Sequence, residues 1–423
     1  MKVAITNTTL LNGGDAAINE ATMLSLRSAL GAGTEFVCYD ARPEISARYF
    51  PRLDLRATVF DRVAETVGPT FLRRATLVAV LVLAWAARYC GGAVFKFLPS
   101  GLRRDLHGYL TADVIVSAGG TYITEHYRLA PRIVEFLVVL ALGRPLVLFT
   151  QSIGMPVRRR DRVLLRFVFR RAVLIMVRDT KSAENLAALG VRSRKIVQCP
   201  DAAFALACDA GKAVGRARAT PGNPPRVAIS VRDWPFFRGP LAVEKMTAYL
   251  NAVAGFVRRV IEEDNGEVTL ISTCQGIPEY WTDDSRTARS VLSQLPPHIM
   301  ARVTIDSAFR TPAGLIERFG DFDCIVATRM HAAILALCTR VPVVPIAYEF
   351  KTRELFDALT NGRKVLDIET VTADELYAQW QAAGAAEASG NAASLWRRVE
   401  DCRRKALESG RFVARAIAAA GTV

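Results

Sequence analysis

The stretch Asp323–Lys351, DCIVATRMHAAILALCTRVPVVPIAYEFK, decides the fold. Cys324–Ala327 is a short apolar run of β type, Ala332–Cys338 is apolar and rich in helix formers, and Val343–Tyr348 turns β-branched again. A strand–helix–strand unit of this length predicts two parallel strands joined by a right-handed crossover. The loops that follow the two strands then lie at one edge of the sheet. The first carries Arg329 and His331 at a helix N-terminus; the second carries Glu349 and Lys351. A helix N-terminus already favours an anion. Two cations and an imidazole there describe a site for a small phosphorylated or carboxylated molecule, with a titratable group in it. The competing reading makes Arg329 a strand-end salt bridge and His331 a helix residue bonded to a carbonyl. The chain has four histidines, and one beside an arginine at a parallel-strand switch region weighs toward function.

Length and composition bound the rest. At 423 residues, 51% hydrophobic and 23% charged, the chain has room for two or three globular domains with large cores. Its formal net charge is +14. The basic residues form no run interleaved with aromatics, no zinc-finger spacing and no helix-turn-helix signal, so nucleic acid is not an expected partner. Anionic small molecules, anionic glycans or a membrane surface are better reasons for the charge. Eight scattered cysteines without a CxxC pair read as small core residues in a reducing compartment. Met1–Ile5 leads directly into a strand, and a cytoplasmic location is expected.

Along the chain, Lys2–Thr6 is a first strand. Asn12-Gly13-Gly14-Asp15 and a helix over Ala16–Leu30 follow, with Asp15 read as the N-cap or as a contact to a sugar hydroxyl. Glu35–Tyr39 is a second strand. Ala75–Ala87, ATLVAVLVLAWAA, is uncharged, with Arg73, Arg74 and Arg88 at its flanks and Trp85 and Tyr89 near its end. A span needs about 20 apolar residues. Three readings therefore stand: a buried helix, a helix on a membrane surface, or a span. Asp113–Ser117 is a buried strand ending in the Gly119-Gly120 loop, with His126 shortly after. Pro145–Phe149 is another strand, followed by the loop Thr150-Gln151-Ser152-Ile153-Gly154.

Residues 209–225, rich in Gly, Ala, Arg and Pro, read as a linker between an N-terminal domain (1–208) and a second one (226–372). The second half restarts the pattern. Arg226–Val231 is a strand ending at Arg232, and Glu267–Thr273 is a strand ending at Cys274-Gln275-Gly276. Residues 373–423 are helical. Strands alternating with helices on both sides of the linker predict an α/β fold of two Rossmann-like domains facing across a cleft lined by strand-end loops.

Taken together, Asn12–Ile18, Ala118-Gly119-Gly120-Thr121, Gln151-Ser152-Ile153-Gly154, Val177-Arg178-Asp179 with Ser182, Pro200-Asp201, Arg329-Met330-His331-Ala332 and Tyr348-Glu349-Phe350-Lys351 resemble the polysaccharide pyruvyl transferase family over about residues 3 to 356. The resemblance implies GT-B-like architecture. It implies transfer of the enolpyruvyl group of phosphoenolpyruvate to a sugar in a polysaccharide or lipid-linked glycan, giving a pyruvate ketal and phosphate. It points to His331 as the catalytic residue and to Arg329, Arg232 and Lys351 as donor-binding. Asn12, Gly14, Asp15, Gly119, Gly120, His126, Gln151, Gln275 and Glu349 would line the acceptor side or the cleft. Neither a metal nor a cofactor is implied. Residues 41–105 lie outside the resemblance, which leaves the apolar stretch as the candidate contact with the inner face of the cell membrane.

Two alternatives compete. One is a GT-B-type glycosyltransferase using a nucleotide sugar, for which Glu349 and Asp357 give a partial match to a paired-acid spacing. The other is a non-catalytic protein binding glycans or a membrane surface.

Overall fold

Continuous apolar runs that are buried on both faces pair as parallel strands, and the computed structural model places them in two such sheets. It describes residues 1–124, 127–208, 223–237, 239, 241–360 and 365–421. The first sheet contains β1 (Lys2–Thr8), β2 (Glu35–Asp40), β3 (Asp54–Ala57), β4 (Val114–Ser117), β5 (Gly120–Ile123), β6 (Leu146–Ile153), β7 (Leu174–Val177) and β8 (Ile196–Gln198). Their order is β3-β2-β1-β4-β6-β7-β8, with β5 beside β6 and every pairing parallel. The second sheet contains β9 (Arg226–Ser230), β10 (Glu267–Leu270), β11 (Val303–Ile305), β12 (Cys324–Ala327), β13 (Val343–Ala347) and β14 (Leu366–Asp367), in the order β11-β10-β9-β12-β13-β14. All its pairings are parallel as well. In each sheet the winding reverses once, between β1 and β4 and between β9 and β12. These are the points where doubly wound folds open a crevice at the strand C-termini.

The chain divides into two compact units: Met1–Leu10, Ile18–Ala205 and Arg404–Val423, and Leu11–Ala17 with Leu206–Arg403. This departs from the sequence expectation in two places. The glycine loop after β1 groups with the second unit. The C-terminal segment is helical as expected but is not set apart at 373, because the helix Ala393–Gly421 is divided between the units. Its end is bonded to the first unit through Ser25, whose hydroxyl donates to Leu407 O (3.1 Å) and accepts from Gly410 N–H (2.8 Å). Most of the expected linker, 209–222, lies outside the described residues, as does His126.

Several residues that carried the family resemblance are cross-links within the first unit. Arg178 donates from Nε to Ser152 Oγ (2.9 Å) and from Nη2 to Thr121 Oγ1 (2.6 Å), and pairs with the buried Asp201. Asp179 caps the helix Thr180–Ala188 by accepting from Ser182 N–H (2.7 Å) and also accepts from Ser152 Oγ (2.6 Å). Gln151, expected in a loop, lies inside β6 and is fully buried. The strand runs past Phe149 to Ile153, and the Gln151 amide donates to Tyr122 OH (2.8 Å) and to Ala118 O. Gly119 is required by close approach, since a Cβ there would lie 2.7 Å from Thr150 Oγ1 and 3.0 Å from Phe149 O.

The apolar stretch becomes the helix Thr70–Cys90. Only Val80, Ala84 and Ala87 are buried, on one stripe at helical spacing, within the first unit's core. The buried-helix reading thus holds for that stripe alone.

The same core holds an ionisable group. Glu135 accepts from Phe60 N–H (2.9 Å) and Tyr109 OH (2.8 Å), and burial pushes its carboxyl up to about 7. A raised carboxyl favours the folded state in its protonated form. Its stabilising contribution is complete below about pH 4.5 and lost as pH rises through about 7. Glu135→Gln is expected to flatten this loss, worth up to about 3 kcal/mol between pH 5 and 8, in urea unfolding at the two pH values.

Candidate functional site

Three parallel strand ends of the second sheet converge at its switch point, and a buried ion pair joins them. After β12 the chain turns at Arg329 into the helix Met330–Cys338. Arg329 is 9% exposed and binds Asp284 through both prongs, Nη2 to Oδ1 (2.6 Å) and Nε to Oδ2 (2.8 Å). Burial opposes its charge, but the Asp284 carboxylate outweighs that and holds the guanidinium well above the ordinary arginine value. Asp284 also accepts from Ser272 Oγ (2.5 Å), and Ser272 Oγ lies 3.1 Å from Ser230 Oγ at the end of β9. Arg329 is therefore, in this structure, the strand-end salt bridge that stood as the competing reading of the sequence. Its partner Asp284, far away in the chain, carries no sequence signal beyond a DD pair ahead of a helix.

His331 sits in the first turn of the helix Met330–Cys338, two residues beyond Arg329. Against it packs the glycine loop. Asn12 Oδ1 accepts from Gly14 N–H (3.0 Å), so Asn12 caps the helix Gly13–Leu30, and Asp15 falls in its first turn. Gly13 N–H donates to Thr273 O (2.8 Å). A Cβ on Gly14 would meet His331 Cβ and Nδ1 at 2.8 Å and Cγ at 2.9 Å. Only glycine lets the loop approach the imidazole this closely, which accounts for the Gly-Gly in a loop that has no phosphate-binding spacing.

The other expected cations differ from one another. Lys351 Nζ lies 2.6 Å from Glu349 Oε2, both largely buried, so its charge is locally compensated. Arg232, after β9, is held by two rings instead: its guanidinium carbon lies 4.4 Å from the Tyr348 centroid and 4.9 Å from that of Trp234. Among the described residues it makes no salt bridge to a carboxylate. Trp234 and Phe237 are buried in the second unit's core, as a cap on it. Gln275 is committed to the loop after β10, accepting from Ser272 N–H (2.9 Å) and donating to Asp306 O (2.5 Å) and Ala308 O (3.2 Å). Asp357 is exposed on the helix Phe350–Thr360 while Glu349 is paired with Lys351, so these two do not form a carboxylate couple. Burial pushes the Cys274 thiol up to about 12, which removes it as a thiolate nucleophile at neutral pH.

Arg232, His331, Lys351 and the loop Asn12–Asp15 thus belong to one unit, whereas Gly119, Gly120 and Gln151 belong to the other. The arrangement offers a ring-held cation for an anion and an imidazole at a helix N-terminus for proton transfer. Asp284→Ala is expected to lower stability by about 3–5 kcal/mol in urea unfolding, because it strands a buried guanidinium. The double variant Asp284→Leu/Arg329→Met is expected to lose less than Asp284→Ala alone.

The family model for polysaccharide pyruvyl transferase matches residues 12–349. The amylovoran biosynthesis protein AmsJ of Erwinia amylovora is 24% identical over 296 residues, 68% of this chain and 70% of that protein. In fold, the chain is similar to Anabaena HepE in complex with UDP and glucose, with a TM-score of 0.59 at 12% identity, covering 99% of this chain and 100% of HepE. It is also similar to a putative UDP-N-acetylglucosamine 2-epimerase from Listeria monocytogenes, with a TM-score of 0.56 at 13% identity, covering 98% and 95% of the two chains. These likenesses establish a two-domain α/β fold of GT-B-like type. With most of its length matched by one family model, from the Asn12 loop to Glu349, the chain belongs to the polysaccharide pyruvyl transferase family.

Proposed function

We propose that the protein transfers the pyruvyl group of phosphoenolpyruvate to two hydroxyls of a sugar, in a polysaccharide or lipid-linked glycan, releasing phosphate and leaving a cyclic ketal. The observation that carries this reading is the packing of Gly14 on His331 beside strand ends that carry Arg232 and the Arg329–Asp284 pair. Family membership and the AmsJ relative, named for amylovoran biosynthesis, support an exopolysaccharide role.

The donor carries a phosphate and a carboxylate. Among the described residues Arg232 makes no salt bridge to a carboxylate, so it is the first contact for one of these groups. The N-terminus of the helix Met330–Cys338 supplies N–H groups for the other. Lys351 reaches the donor only in competition with Glu349. His331, as imidazolium, delivers a proton to the methylene carbon C3 while a sugar hydroxyl oxygen bonds to C2. The C2–O bond to phosphate then breaks, and the neutral imidazole accepts the proton of the second hydroxyl as its oxygen closes the ketal. Two O–C bonds, one C–H bond and one O–H bond on the phosphate form; one C–O bond, two O–H bonds and the C–C π bond are lost. One proton stays on carbon and the other leaves with phosphate, so no redox partner enters. A cytoplasmic location is supported by the free cysteines, among them the exposed Cys90.

Phosphate release from phosphoenolpyruvate, measured with the purified protein and a panel of free and lipid-linked glycans, tests the reaction. His331→Ala is expected to remove acceptor-dependent release, a loss of about 100-fold or more, with a smaller change in donor affinity. Arg232→Ala is expected to weaken donor binding more than turnover. Gly14→Ala is expected to keep the fold but lower turnover by about 100-fold by displacing the imidazole. A thermal shift with a sugar nucleotide, and none with phosphoenolpyruvate, would instead favour glycosyl transfer.

A further inference from the structure

The helix Thr70–Cys90 has two apolar faces, and the fold covers one. Val80, Ala84 and Ala87 pack into the first unit. On the opposite side Phe71, Val78, Val82, Trp85 and Tyr89 recur at the same three-to-four spacing, and are 78%, 62%, 59%, 57% and 68% exposed. Phe97, on the turn that follows, is 80% exposed, with Lys96 Nζ 4.9 Å from its ring centroid. Trp85 and Tyr89 meet edge to face at 5.5 Å, so the aromatic end of the stripe is one surface. A contiguous stripe of this kind marks an interaction site.

Charge selects the occupant. Between Glu65 and Asp105 the chain carries Arg73, Arg74, Arg88, Lys96, Arg103 and Arg104 and no carboxylate. A second copy docking through the same face would bring the segment's cations against one another, and the segment supplies no carboxylate to pair them. Aromatic and aliphatic side chains carried on a segment with Arg and Lys as its only charges match the interface of an anionic bilayer. The helix is long and apolar enough to cross a membrane, but the buried stripe favours surface docking, since crossing would pull Val80, Ala84 and Ala87 out of the core.

We propose that the exposed face of Thr70–Cys90, together with Phe97, docks the protein flat on a membrane surface rich in anionic lipid. This stands independently of the donor chemistry. The test is co-sedimentation of the full-length protein with vesicles of phosphatidylcholine alone or mixed with phosphatidylglycerol. The expected result is binding to the mixed vesicles that weakens as salt is raised. Val78→Ser/Val82→Ser/Trp85→Ser should reduce binding about 10-fold or more at unchanged melting temperature, since all three side chains are more than half exposed. Arg74→Gln/Arg88→Gln/Lys96→Gln should do the same while every apolar side chain of the stripe stays in place, and serves if the serine variant misfolds. No binding to the mixed vesicles, or equal binding by wild type and the glutamine variant, would overturn the proposal. So would a dimer in lipid-free sedimentation that the serine variant abolishes.

Discussion

The bidentate pair between Arg329 and Asp284 is the constraint on which the second unit's strand ends depend. A buried guanidinium without a carboxylate would not persist, and a buried carboxylate bonded only to Ser272 would not either. Together they fix the exit of β12 relative to the loop after β10 and, through Ser272 and Ser230, the exit of β9. The direction in which the helix Met330–Cys338 leaves the sheet is set there. His331, in that helix's first turn, inherits its position from the pair.

Charge at the site is more compensated than a count of basic residues implies. Arg329 is matched by Asp284 and Lys351 by Glu349, while Arg232 rests on Tyr348 and Trp234. On the pyruvyl-transfer reading this has a use. Three bare cations would hold the phosphate product as firmly as the donor, which gains nothing for turnover. One ring-held cation and a helix N-terminus give the donor's anions a place without such a trap. The glycine loop adds precision, because at Gly14 the backbone approaches the imidazole so closely that a Cβ would lie 2.8 Å from His331 Nδ1.

The first unit is built on the same doubly wound plan, with different materials. Its strand ends are tied by Arg178, Asp179, Ser182 and Asp201, which bond to one another and to Ser152, Thr121 and Ile153. Motif residues can thus mark a family through the structure they maintain as well as through chemistry. The helix Thr70–Cys90 falls outside that framework. Its buried side follows the packing rule for a core helix, and its exposed side follows none that the unit itself supplies.

Much of the architecture was legible in the residue order. β-branched runs such as Asp113–Ser117 and Cys324–Ala327, alternating with helical segments, determine parallel sheets, because only a crossover connects parallel neighbours. Placing Arg329 and His331 at a strand-to-helix turn followed from the same local pattern. The tertiary structure alone decided what each charge faces. Asp284 meets Arg329 across a separation of 45 residues, and nothing in the local sequence of either encodes the other. It also decided that Asn12 caps the first helix in place of Asp15, that β6 extends through Gln151, and that the Asn12–Asp15 loop belongs with His331. Periodicity reports which face of an element is apolar, a property of neighbours in the chain. Pairing, close approach and exposure are properties of neighbours in space, and they exist only once the sheets are assembled.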